Sequence, residues 1–499
     1  MLQLKSNLIL ITAMILVISS CQQTPDFGKA LSRKFNNPSL KHLSLEEVAP
    51  FLEKKLLKAR NTETGTLLAA GYHNRSYTPV FLQRYLPGNG MELLLEHINA
   101  AGEHGLDPVI FRPNRLLELM DTLQNRKALA TPEATAEMVA ELELQLAGTL
   151  ARYSNALLFG ITNPSKIYPR YYTDTGRPDS ASMDRLFNAR EPESWLDSIQ
   201  PVRPEYLFLQ KELARLQEPA ENAAVDTTSG GTLRQTLVVN LERLRWKTQP
   251  DSLREAGKYV EVNIAAYRLY VMENGKPVLD MKVCVGEPSR RWQTPQLNSL
   301  IERVQVNPVW NIPESIASRE IMSLAAADPY YLENANIDVY RNGEKIEDSR
   351  KINWDEVSGK NSAYRFKQRP GSKNALGKIK FLFDNQSSVY LHDTPAKAAF
   401  DKEKRAVSHG CVRLEKPLEL ARALFGEGPG FEKIKSEMSK KDPEARNIKL
   451  PQEIPVYLTY YTFHINQNGR LQVFPDVYGL DKLVLEELKA TAIFPAKRL

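Results

Sequence analysis

His392, His409 and Cys411 lie within twenty positions of one another, and their residue types suit nucleophilic chemistry. His392 sits in Val389-Tyr390-Leu391-His392-Asp393-Thr394-Pro395, and Cys411 in Ser408-His409-Gly410-Cys411-Val412-Arg413-Leu414. A thiol is a poor nucleophile until it loses its proton. An imidazole within hydrogen-bond reach can take that proton and return it to a leaving amine. His392 and Cys411 are 19 residues apart, so neighbouring strands joined by a loop could bring them together. Gly410 lets the backbone turn tightly and approach a ligand closely. The N–H groups of Gly410 and Cys411 could then face a developing oxyanion. Arg413 offers a fixed fork for a substrate carboxylate. Two rival readings stand beside this one. A zinc site of His392, His409 and Cys411 would have three ligands and no paired cysteine motif. Arg413 could instead serve a structural ion pair. Cys284, flanked by Val283 and Val285 in a strand pattern, reads as packing.

The elements that must position these residues are mainly strands. Val260, Val262 and Ile264 alternate with polar neighbours, then Leu269 and Val271 do the same. Asn274-Gly275 predicts a hairpin turn into a strand over 278–285. Residues 301–306, 379–383 and 389–391 continue the pattern, and a long insertion over about 313–365 has helical character near 318–327. An insertion of that size often serves as a lid or recognition element. The N-terminal half reads helical instead. Leu93, Leu94, Leu95 and Ile98 form one apolar stripe. Thr131-Pro132 opens the strongest helix, with Met138, Leu142, Leu146, Leu150, Tyr153 and Leu157 as its buried face and Gly160 as its end. His73, His97 and His104 lie apart, without ligand spacing. Between the halves, 217–232 is poor in large apolar residues and reads as a linker.

The whole chain has 499 residues, 42% of them hydrophobic and 25% charged, with a net charge of +6. That composition is globular and excludes a disordered chain, a collagen or a multi-span membrane protein. The balance of 66 basic against 60 acidic side chains falls short of a nucleic-acid-binding stripe. Three cysteines cannot build a dense disulfide framework. Lys5 and the apolar run over 8–18 read as a signal sequence too short to span a bilayer. Ile18-Ser19-Ser20-Cys21 resembles the lipobox of bacterial lipoproteins, in which Cys21 would be lipidated; an ordinary signal peptide with a chance cysteine is the other reading. The expected location is the periplasmic face of the cell envelope, with the protein anchored to a membrane by lipid.

Ser408-His409-Gly410-Cys411-Val412-Arg413 resembles the active-site signature of the YkuD-type L,D-transpeptidases. The run 390–395, Arg405-Ala406-Val407, and the segments 365–377, 240–246 and 455–462 resemble their large, scaffold-bearing branch. His104-Gly105-Leu106-Asp107-Pro108 resembles that branch's scaffold domain. The residues give a signal peptide over 1–20 and a polar stretch over 21–44 that reads as a tether; the resemblance then implies an α+β chain with a helical scaffold domain over 45–216, the linker over 217–232, and a mainly-β catalytic domain over 233–499 with an inserted helical cap over about 313–365. It also implies a reaction on peptidoglycan stem peptides. Cys411 would attack the carbonyl of the third residue of a stem tetrapeptide and release D-alanine. A side-chain amine of a neighbouring stem would resolve the thioester, giving a 3→3 cross-link. His392 would be the general base and acid, with its ring oriented by the backbone carbonyl of Asp393. His409 and Gly410 would shape the oxyanion site, Arg413 would position substrate, and Tyr390 would line the pocket. No metal, cofactor or nucleic acid is required, and carbapenems typically acylate such a cysteine. Relatives often carry a peptidoglycan-binding helical domain where this chain has only the linker. The alternatives are a cysteine peptidase that only hydrolyses wall peptides and a non-catalytic wall-binding scaffold.

Overall fold

The computed structural model describes residues 26–125, 131–216, 233–248, 257–357 and 363–493. The signal sequence, Cys21 and the linker over 217–232 lie outside the described residues. The N-terminal region is helical and the C-terminal region is mainly β. Among the described residues no helix is long and apolar enough to cross a membrane.

The segment expected as a tether differs from that expectation. Phe27–Lys34 is a helix capped by Asp26, whose side chain accepts from the Lys29 N–H. Phe27, Leu31 and Phe35 recur at helical spacing and are buried, with Leu40 and Leu43. Burying such side chains contributes roughly 1.5–3 kcal/mol each, enough to hold a short capped helix that isolated propensity would not. A capping box at Ser44 and Glu47 then starts the helix Leu45–Ala59. The expected strong helix runs over Pro132–Phe159, with the Thr131 hydroxyl accepting from the Ala134 N–H. Its predicted stripe is buried at Leu142, Leu146, Leu150, Tyr153 and Leu157. Gly160 follows at φ +74°, a conformation that suits glycine.

The chain divides into two compact units. One comprises the described parts of Met1–Glu96, Arg112–Ala151 and Ser180–Trp195. Its interior holds the carboxylate of Glu143, which accepts from the Tyr72 hydroxyl (2.5 Å) and from the N–H groups of Phe81 (2.9 Å) and Leu82 (2.7 Å). These two N–H groups open the helix Val80–Tyr85, so a buried acid caps a helix that lacks a polar cap residue of its own.

The other unit comprises the described parts of His97–Phe111, Arg152–Asp179 and Leu196–Leu499. The boundary expected at the linker therefore does not divide the units. One reason is the helix Pro204–Arg215, whose Tyr206, Leu209 and Leu213 are buried with Leu237, Val238 and Leu241 of the helix Leu233–Arg245. An amphipathic helix follows the surface that covers its apolar face, whatever lies between in sequence.

The main sheet has nine strands: β1 (Lys258–Asn263), β2 (Arg268–Glu273), β3 (Lys276–Gly286), β4 (Leu297–Val306), then β9 (Ile379–Phe383), β10 (Leu391–His392), β11 (Ala406–Ser408), β12 (Val412–Leu414) and β13 (Arg446–Thr459). Numbers β5 to β8 belong to the insertion: Trp310–Ile312, Ile337–Arg341, Glu344–Lys345 and Tyr364–Gln368. The main order is β11-β3-β12-β10-β9-β4-β13-β1-β2, and β2 also pairs with β3, so the sheet closes on itself. Asn274 (φ +51°) and Gly275 (φ +75°) make the expected hairpin turn between β2 and β3. The inward positions Val260, Val262, Leu269, Val283, Val304 and Phe381 are buried in one core.

The insertion has its own small core of Ile316, Ile321, Met322, Trp354 and Phe366. Helical turns over 314–327 include the stretch expected near 318–327, and the insertion also contains a four-stranded antiparallel sheet ordered β5-β8-β6-β7. The alternation of Ile337, Val339 and Phe366 explains those strands: each buries one face only.

Candidate active site

Strands β10 and β12 run parallel and adjacent, with Leu391 opposite Val412 and His392 opposite Arg413. The Val412 N–H donates to the Tyr390 carbonyl at 3.1 Å. This register brings the histidine segment beside the cysteine segment. Cys411 is partly exposed, whereas Cys284, on β3 opposite Arg413, is fully buried. Only the first is open to a substrate.

His392 is buried at 5% exposure, and its Nδ1 lies 2.5 Å from the Asp393 carbonyl oxygen. A carbonyl can only accept, so Nδ1 carries the proton and Nε2 keeps its lone pair. The Asp393 carboxylate is engaged elsewhere. One oxygen accepts from the Lys378 N–H (2.9 Å) and the other from Lys397 Nζ (2.8 Å). Gly377 permits this clamp: its φ is +61°, and a Cβ there would meet Asp393 Oδ2 at 2.3 Å. Burial pulls the His392 imidazolium down to about 4; the Asp393 carbonyl opposes that, and the Arg413 and Lys380 charges reinforce it. The ring is therefore neutral near pH 7.

Burial pushes the Cys411 thiol above its ordinary value. The backbone and hydroxyl of Tyr390 act the other way through hydrogen bonds, as do the charges of Lys380 and Arg413. The Tyr390 hydroxyl also receives a hydrogen bond from Trp310, whose indole N–H can only donate. Tyr390 packs edge-on against His392, with ring centres 5.6 Å apart. Tyr390 thus touches both expected reacting residues.

The loop before Cys411 is pinned by Ser408. Its hydroxyl donates to the Cys411 carbonyl at 2.6 Å and accepts from the Gly410 N–H at 3.1 Å. The Gly410 carbonyl accepts from Thr294 Oγ1 at 2.9 Å. Gly410 adopts φ +115°, a region closed to most side chains. Its N–H is committed to Ser408, so it is not the free oxyanion donor expected from sequence. Among the described residues no acceptor takes the Cys411 N–H, which leaves that donor for an oxyanion.

His409 points to the insertion instead of to His392. Its Nε2 lies 2.6 Å from Glu320 Oε1, and its ring meets Trp292 edge-on at 4.6 Å. Arg413 lies on β12 opposite His392 of β10 and Cys284 of β3, and among the described residues no carboxylate forms an ion pair with it. Nor does any group of three or more His, Cys, Asp or Glu among them have a disposition that could hold a metal ion. Sequence reading missed Lys380, Trp310, Thr294, Glu320 and the bridging role of Ser408. Trp310 alone carried a signal, as a large aromatic residue at the start of the insertion.

The L,D-transpeptidase catalytic domain model (YkuD) matches residues 257–425, and a scaffold domain model matches residues 66–213. A Haemophilus influenzae protein, provisionally assigned as an L,D-transpeptidase, is 32% identical over 310 residues, 62% of this chain and 60% of its own length. The chain thus spans about three fifths of that relative. A solved L,D-transpeptidase from Mycobacterium smegmatis aligns over 41% of this chain and 59% of its own at 13% identity, with a TM-score of 0.20. The solved Ldtfm–avibactam carbamoyl enzyme aligns over 40% and 48% at 13% identity, with a TM-score of 0.19. The segment 257–425, which contains the strands that carry His392 and Cys411, thus matches the L,D-transpeptidase catalytic domain family (YkuD), and a segment matching the scaffold domain family precedes it.

Proposed function

We propose that this protein is a peptidoglycan L,D-transpeptidase with Cys411 as nucleophile and His392 as general base and acid. The observation that carries the reading is the placement of a partly exposed cysteine beside a buried histidine, within the matched catalytic domain. In the resting site both groups are neutral, because burial disfavours the imidazolium and the thiolate alike. The proton moves when substrate arrives. Nε2 of His392 takes the Cys411 proton, and sulfur forms a bond to the carbonyl carbon of the third stem residue. The oxyanion is held by the Cys411 N–H. The carbon–nitrogen bond to D-alanine breaks, and His392 returns the proton to the departing amine. A side-chain amine of a second stem then attacks the thioester, gives a proton to His392 and releases the thiol, leaving a 3→3 link. Arg413 holds a substrate carboxylate, and Tyr390 lines the cleft and bonds the sulfur. Cys21 is the lipid anchor, which holds the protein at the periplasmic face of the envelope.

Purified disaccharide tetrapeptide supplies the test, with products resolved by mass spectrometry. Cross-linked dimers with loss of D-alanine, absent with Cys411→Ala, support the reading. Tripeptide monomers alone would replace transpeptidation with hydrolysis, and dimers from Cys411→Ala would remove the nucleophile assignment.

A further inference from the structure

Lys380 lies on β9, directly opposite His392 of β10. Directly opposed residues of an antiparallel pair project to the same face of the sheet. The Lys380 Nζ sits 5.2 Å from the centre of the Tyr390 ring, and the Tyr390 hydroxyl bonds the Cys411 side chain. Lys380, Tyr390 and Cys411 therefore form one contiguous group beside His392. The lysine is only partly exposed. Among the described residues no carboxylate lies within ion-pair distance of its ammonium. A half-buried cation without an anion is costly unless a charge forms nearby during function. Of the acidic groups, Cys411 is the one whose charge acts on this ammonium, and Arg303 is a cation that opposes it.

We propose that Lys380 is a positioning residue whose ammonium, held above the Tyr390 ring, is the counter-ion of the Cys411 thiolate. This rests on Cys411 being the nucleophile. The two cations near the sulfur then divide the work. Lys380 is a compact charge screened from contact by the Tyr390 ring, so it acts on the sulfur through space. Arg413 has the planar fork that matches a carboxylate, so it holds substrate. The proton balance is that of the proposed reaction. The thiol proton goes to His392 Nε2, and Lys380 keeps its own protons throughout.

The test is the pH dependence of iodoacetamide alkylation at Cys411, followed by peptide mass spectrometry, with buried Cys284 as internal control. Wild type is compared with Lys380→Met, which keeps the apolar stem, and Lys380→Arg, which keeps the charge. Lys380→Gln replaces the Met variant if that does not fold. The neutral variant is expected to move the alkylation midpoint up by about one pH unit, roughly a tenfold fall near neutral pH. At alkaline pH, where the wild-type lysine is itself neutral, the two rates converge. Lys380→Arg restores the midpoint to within about half a unit. An unchanged midpoint in the neutral variant overturns the proposal. So does an equal loss at every pH, which marks a structural role, or a raised KM with an unchanged alkylation profile, which marks a substrate contact. If wild-type Cys411 takes no carbapenem, the nucleophile reading itself has failed. If wild type is acylated normally and the neutral variant keeps its midpoint, only the role of Lys380 has failed.

Discussion

Replacing Ser408 by alanine removes one oxygen that serves two backbone groups. The hydroxyl donates to the Cys411 carbonyl at 2.6 Å and accepts from the Gly410 N–H at 3.1 Å, at a residue only 2% exposed. In the variant both backbone groups lose their partner. Each buried group left unsatisfied costs about 1–3 kcal/mol, and loop movement or entry of water recovers part of it. A net distortion of about 2–3 kcal/mol, expressed where the sulfur must meet a carbonyl carbon, slows acylation roughly 30- to 150-fold. The assay is a time course of carbapenem acylation by intact mass spectrometry near neutral pH. Ser408→Thr keeps the hydroxyl and is expected within about fivefold of wild type, since a misplaced nucleophile and not a missing polar atom sets the larger loss. A folded Ser408→Ala protein that acylates within about threefold of wild type would refute the reasoning, because the loop would then hold the sulfur without this bridge.

Further outcomes follow from the same geometry. His392 is held at about 4, so acylation should show no inflection near pH 6.5 and should collapse near pH 4; a midpoint at 6.5 in the pH–rate profile contradicts a buried neutral base. Burial also holds His104 at about 4, so as pH falls below 6.5 the unfolded chain takes up protons before the folded one does. Stability is therefore intact above about pH 6.5 and declines toward pH 4, as denaturant titrations at several pH values would show. Gly377→Ala drives a Cβ against Asp393 Oδ2 from a backbone at φ +61°, moving the carbonyl that orients His392. A fall in acylation of about tenfold or more is expected, and an unchanged rate would remove the clamp from the account. Glu143→Ala leaves three buried donors unpaired and should cost about 3–5 kcal/mol, read as a lower denaturant concentration at the loss of helical signal.

Much of the catalytic half was legible from sequence because its signals are local. Alternation over 260–264, the Asn274-Gly275 turn and the strand pattern over 379–383 each declare a strand without reference to partners. The histidine and cysteine segments were legible from residue type. What stayed hidden is long-range. Period-2 alternation says which face a residue takes and not which strand lies beside it. Lys380 therefore looked like an ordinary polar position, although the β9–β10 register sets it opposite His392. Gly410 showed its need for unusual backbone, while the capture of its N–H by Ser408 depended on the turn that the strands impose. Phe27, Leu31 and Phe35 were passed over within a polar stretch because three apolar residues are a thin stripe until a surface covers them. The helix Pro204–Arg215 joins the unit beyond the expected boundary for a similar reason. Its apolar face matches Leu237 and Leu241, beyond a segment that reads as a linker.

The proposed chemistry stands on Cys411 as an activated nucleophile with His392 as its base. Intact mass spectrometry after carbapenem exposure tests it most directly, on wild type, Cys411→Ala and His392→Ala lacking residues 1–21. A single adduct on wild type, its absence from Cys411→Ala and slowing of at least about a hundredfold in His392→Ala are expected. An adduct that survives Cys411→Ala, or one that forms at the wild-type rate in His392→Ala, would contradict it.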